Sequence, residues 1–226
     1  AYLFEFDSVF GPWRGSVALQ GGGLVVDGRA IPLHRAADLS TLDLTGIDLV
    51  MECTGRADSR DVAERGLRAG ARRVLISGPS QAADLTVVLG ANEGELADQP
   101  IVSNASCTTN ALAPLARLIH ENWSVVTGSM TTIHCYTGSQ PTVDAPAADY
   151  PRSRAAALSM VPTTTSAQRL LDRVLPQIAG RIAGSAVRVP TASVSAVDLA
   201  VITERPATAE AVNQALRQAG GVIGAT

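Results

Sequence analysis

Cysteine is scarce: three in 226 residues, with no C-x-x-C pair and no Cys/His spacing suited to ligation. That argues against a disulfide framework and against zinc. Charge is also sparse, at 17% of residues, and nearly balanced, with 18 basic against 21 acidic side chains and a net charge of −3. Such a surface gives no electrostatic case for nucleic acid or an anionic membrane as a main partner. Lysine is absent, so every basic residue is an arginine; the bias points to no function by itself. No apolar run is long enough to span a bilayer and no signal peptide is read, which makes a reducing cytoplasm the expected setting. What is present is a globular composition, 46% apolar, in a length that holds one large or two modest domains.

The most informative stretch runs from Pro100 to Glu121. Residues 100–105 read as a short strand ending in small polar residues, and Leu112, Leu115, Leu118 and Ile119 recur at helical spacing. Between them, Ser106 is suited to cap a helix whose first turn carries Cys107. Unpaired N–H groups and the helix dipole favour negative charge there, and the thiolate is the reactive form of cysteine. A buried, inert cysteine is the competing reading. Met130 to Thr137 reads as a strand and a polar turn that carries His134, one of three histidines. A cysteine nucleophile needs a base nearby in space, and a histidine on the next strand could supply it. A purely structural histidine is the alternative.

The rest of the chain supplies a frame. Ala1 to Phe4 reads as helix running into the turn Phe6–Gly11. Ser16–Leu19 and Leu24–Asp27 suggest a hairpin through Gly21-Gly22-Gly23, which lacks the G-x-G-x-x-G spacing of a dinucleotide turn. Ile31–Arg35 suggests another strand. Ile47–Gly55, Arg73–Pro79, Leu85–Gly90 and Ile101–Val102 are near-continuous apolar strands, with a helix over Asp61–Ala69 stopped by Gly70. This pattern predicts a parallel sheet buried on both faces. Ligands of such sheets sit beyond the carboxyl ends of the strands, where Thr54, Gly55, Ser77 and Cys107 fall.

After Cys107 the pattern changes. A long strand over Ser124–Ile133 is followed by a proline-rich loop over Gly138–Arg154 and a helix over Ala167–Leu175. Ala186–Pro190 and Ser193–Glu204 read as antiparallel strands, and Ala209–Ala219 as a last amphipathic helix. The expected class is α/β: a partial doubly wound (Rossmann-type) parallel sheet over residues 1–106, then an α+β catalytic domain with a mostly antiparallel sheet over residues 107–226.

The runs SNASCTTN (103–110) and MTTIHCYT (130–137) together resemble the phosphorylating glyceraldehyde-3-phosphate dehydrogenase family. The resemblance extends to PTTT (162–165), RVPT (188–191), VSAVDL (194–199) and FDSVFG (6–11), and it is collinear over nearly all of residues 1–217. It implies that Cys107 is the catalytic cysteine and His134 the histidine that activates it. It implies that Ser106, Thr108, Thr137, Arg152, Thr165, Ser166 and Arg188 bind the substrate phosphate and inorganic phosphate. It also implies that Arg35, Thr54, Gly55 and Ser77 line the nicotinamide dinucleotide site; a solvated surface arginine is an equal reading of Arg35. Ser166 departs from the family, which has glycine there, and its side chain adds bulk beside the phosphate. The 138–154 loop resembles the family's S-shaped loop, which packs against a neighbouring subunit's cofactor site, although its composition also fits an ordinary surface loop. Pro146 leans toward NAD, while Ala145 in place of the usual leucine leaves NADP open.

The implied reaction oxidises glyceraldehyde 3-phosphate. His134 takes the proton of Cys107, and the thiolate attacks the aldehyde to form a thiohemiacetal. Hydride then passes to the nicotinamide as His134 takes the hydroxyl proton, and inorganic phosphate releases the resulting thioester as an acyl phosphate. Partners are thus a small phosphorylated aldehyde, inorganic phosphate and further copies of the chain in a homotetramer, with no nucleic acid and no membrane. An erythrose-4-phosphate dehydrogenase-like enzyme is one alternative, which Thr137 and the PTTT run disfavour. The family's opening glycine-rich strand–turn–helix is not found in the sequence, and Gly220–Thr226 read as the start of a continuation after a gap. The expectation is a piece of a complete enzyme; a truncated, catalytically silent paralogue that acts by binding is the other alternative.

Overall fold

A computed structural model describes residues 1–147 and 149–223. It divides into a first unit, Ala1–Leu42, and a second beginning at Asp43.

In the first unit, α1 (Tyr2–Glu5) leads into β1 (Phe6–Asp7), which pairs antiparallel with β2 (Gly11–Pro12). The Asp7 carboxylate closes their turn by accepting from the N–H groups of Val9 (2.8 Å) and Phe10 (2.7 Å). Strands β3 (Val17–Gln20), β4 (Gly23–Val26) and β5 (Arg29–Ile31) then form an antiparallel meander. Gly21 and Gly22, both at positive φ, make the expected hairpin. The third strand lies earlier than Ile31–Arg35. Asp27 (φ 48°) and Gly28 (φ 78°) turn the chain back so that Arg29 pairs with Val26, and Pro32 has no N–H to extend the ladder.

The second unit holds two four-stranded sheets. The first has the order β6-β7-β9-β8, with β6 (Leu49–Glu52), β7 (Arg73–Ile76), β8 (Leu85–Thr86) and β9 (Ile101–Ser103) all parallel, as expected. Val74, Ile76, Ile101 and Val102 are buried in it. The helix over Asp61–Ala69 is instead two short pieces, α2 (Arg60–Ala63) and α3 (Arg65–Arg68). Buried Gly66 explains the break: a Cβ there would lie 2.9 Å from Val74 Cγ2 and 3.2 Å from Val50 Cβ. The close seat on the sheet requires glycine, which weakens a helix by about 1 kcal/mol. Strand β8 stops at Thr86 because the Val88 N–H is captured by Asn92 Oδ1 at 2.8 Å, turning the chain rather than extending it.

Helix α4 (Cys107–Trp123) follows β9, and α5 (Ala167–Val174) and α6 (Ala209–Gln218) come later. The core side of α4 is Leu112, Ala113, Ala116 and Ile119, while Leu115 and Leu118 are only half-buried. Pro114 lies inside this helix and has no N–H to give the Asn110 carbonyl. The second sheet has the order β11-β12-β10-β13, from β10 (Val125–Cys135), β11 (Val161–Thr163), β12 (Ile182–Val189) and β13 (Ala196–Thr203). It is mostly antiparallel, with β10 and β12 parallel. The two late strands do not pair with each other, because β10 lies between them. Leu112, Met130, Leu171, Val174, Ile178 and Ile182 fill the core between α4, α5 and this sheet, each fully buried side chain contributing about 1.5–3 kcal/mol. The described residues between 138 and 154 carry no strand or α-helix; the Gln140 N–H closes a turn on the Thr137 carbonyl at 2.9 Å, and Pro151–Ser153 forms a 3-10 turn. Ala148 of that loop, and residues 224–226 of the expected continuation, lie outside the described residues.

Candidate active site

Strand β9 delivers the chain to the head of α4 through a tightly fastened bend. Ser103 Oγ donates to the Gly78 carbonyl (2.8 Å) and accepts from the Ala105 N–H (3.2 Å). Ala105, fully buried, takes φ 56°, a left-handed conformation that costs a residue with a Cβ about 1–2 kcal/mol. Ser106 caps α4, its Oγ accepting from the Thr109 N–H at 3.1 Å. Asn110 Nδ2 reaches back to the carbonyls of Asn104 (2.7 Å) and Ser106 (2.9 Å). Thr108 and Thr109 are buried, whereas Cys107 at the first helical position is exposed.

His134 lies near the end of β10, and its Nε2 is 3.3 Å from Cys107 Sγ. The parallel register of β10 with β12 sets Arg188 directly beside His134. Arg188 Nη1 is 2.6 Å from His134 Nδ1 and donates to the Cys135 carbonyl at 2.8 Å. Arg188 also walls a polar pocket of about 120 Å³, with Ser139, Gln140, Arg152, Thr163 and Thr164. Arg152 is fixed there by Asp149, at 3.3 Å, and by the hydroxyls of Thr163 (3.0 Å) and Thr164 (3.1 Å). Both polar atoms of the Gln140 amide are buried in the pocket wall without a partner. Two guanidinium groups and a free amide around a small space suit a tetrahedral oxyanion.

A second cleft, of about 260 Å³, opens beyond the carboxyl ends of β6 and β7, lined by Glu52, Gly55, Asp58, Ser77, Gly78 and Arg169 among others. Space is open where side chains at Gly55 and Gly78 would project. Glu52 Oε1 accepts from the N–H of Thr54 at 3.0 Å, while Oε2 is buried and unpartnered. A free carboxylate oxygen and bare glycine backbone fit a ligand rich in hydroxyls.

Residues 106–222 match the glyceraldehyde 3-phosphate dehydrogenase C-terminal domain, and residues 1–60 match the NAD binding domain of the same proteins. The glyceraldehyde-3-phosphate dehydrogenase of Xanthobacter flavus is 44% identical over 235 residues, covering all of this chain and 70% of its own length. The chain belongs to the glyceraldehyde-3-phosphate dehydrogenase family. The Geobacillus stearothermophilus dehydrogenase is likewise 44% identical, over 97% of this chain and 67% of its own, and glyceraldehyde-3-phosphate dehydrogenase 1 of Bacillus subtilis 41% identical over 99% and 70%.

Within this family member, direct contacts join Cys107, His134 and Arg188, with Ser106 capping the helix that carries the thiol. Arg152 shares Arg188's pocket, and Thr137 reaches it through a 2.9 Å hydroxyl contact with Ser139. Gly55 and Ser77 share the second cleft, with Thr54 on the Glu52 carboxylate. Thr165 and Ser166 stand at the start of α5, outside the lining of either space, and Thr165 Oγ1 accepts from the Ala167 N–H at 3.1 Å. Arg35 lies in the first unit, exposed and outside any strand or helix. Sequence reasoning missed Asn110, Gln140 and Glu52. Asn110 was legible in principle, as an amide one helical turn from the cap; the other two follow an ordinary pattern and gave no signal.

Proposed function

We propose that this chain carries the site at which glyceraldehyde 3-phosphate is oxidised with NAD and inorganic phosphate to 1,3-bisphosphoglycerate, with Cys107 as nucleophile and His134 as base. The 3.3 Å approach of Cys107 Sγ to His134 Nε2, beside a two-arginine pocket, carries the reading. Cys107 at a helix head suits an anionic sulfur. His134 accepts the thiol proton at Nε2 and later the hydroxyl proton of the thiohemiacetal, as its position against Sγ allows. Arg152 and Arg188 hold phosphate oxygens, with Thr137 close by; Ser106, Thr108, Thr165 and Ser166 complete the phosphate-binding set. Thr54, Gly55 and Ser77 hold NAD, which when bound accepts the hydride. Residues 1–106 and 107–226 serve as the cofactor and catalytic segments.

The reading extends to a homotetramer working in the cytoplasm. Exposed Val126, Ile133 and Ile202 on the second sheet support self-association. No helix among the described residues is long and apolar enough to cross a membrane.

The test is NADH formation from glyceraldehyde 3-phosphate, NAD and phosphate by the purified chain, beside its NAD affinity by calorimetry. Phosphate-dependent turnover lost in Cys107→Ser supports the proposal. Preference for erythrose 4-phosphate would reassign the substrate, and absence of both turnover and NAD binding would sink the proposal.

A further inference from the structure

Four separate segments wall the pocket that Arg152 and Arg188 share. Past the end of β10, the Gln140 N–H donates to the Thr137 carbonyl (2.9 Å) and the Thr137 and Ser139 hydroxyls meet at 2.9 Å, so a closed turn presents Ser139 and Gln140. The Pro151–Ser153 turn brings Arg152, β11 brings Thr163 with Thr164 just after it, and the end of β12 brings Arg188. Both arginines are held by the protein itself. Asp149 and the two threonine hydroxyls fix Arg152, and the Cys135 carbonyl accepts from Arg188 at 2.8 Å.

Gln140 is the unsatisfied member of this ring: its Nε2 and Oε1 are both buried and without a partner. An amide left so costs stability, and native structures keep few of them. Neither arginine can meet its N–H groups, since a guanidinium only donates. The Thr163 and Thr164 hydroxyls already accept from Arg152. The amide N–H groups therefore require an acceptor carried in by a ligand. A phosphate group supplies it, because its oxygens diverge tetrahedrally and one can face the amide while others face the guanidinium groups. A carboxylate has two oxygens in one plane, and a single guanidinium fork occupies both.

We propose that Gln140 is a specificity-determining residue: its side-chain amide donates to a phosphate group held between Arg152 and Arg188, and this third contact makes the pocket prefer phosphate to carboxylate. The inference rests on the two arginines being a phosphate site, as in the function proposed above. Gln140 neither gives up nor takes a proton; it recognises the ligand by shape and hydrogen bonding alone. The same amide weakens the empty protein and strengthens the filled one. That sign separates it from a residue kept for the fold, whose loss would weaken both.

Gln140→Met keeps the length of the side chain and removes both polar atoms. Inorganic phosphate and glycerol 3-phosphate, added separately, tell a free phosphate from a phosphate ester, and acetate serves as the planar anion. By chemical-shift titration, Q140M should bind whichever phosphate acts about tenfold or more weakly and acetate within about twofold of wild type, as loss of a hydrogen bond to a charged group predicts. Its melting temperature in chloride should be no lower than that of wild type, while the rise on adding phosphate should shrink. A lower melt in chloride with wild-type phosphate affinity would make Gln140 structural and overturn the inference, as would equal losses for phosphate and acetate. In the wild-type chain, the Gln140 side-chain amide protons, assigned through their own backbone, should shift and exchange more slowly with phosphate but not with acetate. Signals unmoved by phosphate would overturn the inference even if Q140M does not fold. Phosphate affinity that is unchanged in Q140M but lost in R152M would remove this inference alone. Affinity fully kept in R152M, or absent from wild type, would remove the two-arginine site beneath it.

Discussion

Cys107 and His134 are 27 residues apart and belong to different elements, yet Sγ and Nε2 lie 3.3 Å from one another. The meeting is made by a helix head and a strand end, each fixed by its own hydrogen bonds. Removing either partner should therefore damage chemistry more than folding. His134→Asn is expected to lower kcat by about 10²–10⁴-fold, the usual range for a positioned base, with KM for NAD little changed. Cys107→Ser should lose at least as much. Steady-state kinetics beside thermal melts of the same preparations check this, and a parallel loss of melting temperature would contradict it.

Asn110 ties the first turn of α4 to the bend that leaves β9. Asn110→Ala removes two side-chain hydrogen bonds, together worth about 1–3 kcal/mol. The alkylation rate of Cys107 should fall alongside stability, because the turn that aims the thiol is no longer held. An unaltered rate with the same stability loss would reduce Asn110 to a purely structural role.

Leu112 is fully buried against the second sheet. Leu112→Ala should destabilise by about 2–5 kcal/mol in urea unfolding, the cost of lost transfer energy plus a cavity. Leu115→Ala, half-buried on the same helix, should cost clearly less.

The N–H groups of Phe10, first, and Val9 hold the Asp7 carboxyl below its ordinary value of 3.8. A carboxyl lowered in the folded state contributes stability that is fully present above its unfolded pKa. That contribution disappears as pH falls through the lowered folded value. Carboxyl titration by NMR should put the Asp7 midpoint below that of an exposed, unbonded aspartate, and Ser substitution at Asp7 should flatten the acid side of the first unit's stability profile.

Local signals carried much of the architecture. Strands β6, β7 and β9 were readable because each is an apolar run bounded by small polar residues, and the α4 cap because Ser106 precedes helical spacing. What failed had non-local or competing causes. Leu85–Gly90 looks like a strand, but the Asn92 side chain takes the Val88 N–H. Asp61–Ala69 looks like one helix, but Gly66 is kept bare by Val50 and Val74 from two strands. The neighbour relation of His134 and Arg188 depends on β12 joining β10 in parallel, a register set across 54 residues. Spacing could nominate a cysteine and a histidine; only the resemblance linked them, and neither exposed the unpartnered amide of Gln140.

Pro114 has a bearing on how this molecule could be re-engineered. Because it gives the Asn110 carbonyl no N–H, the hydrogen-bond ladder of α4 is interrupted just after the turn that carries Cys107. That turn is fastened to the preceding bend, while the remainder of α4 is fastened to the core. Thiol placement and helix body are therefore separate modules in one continuous element. The outward positions beyond Pro114 are the natural place to graft labels, tethers or surface charge without retuning the chemistry.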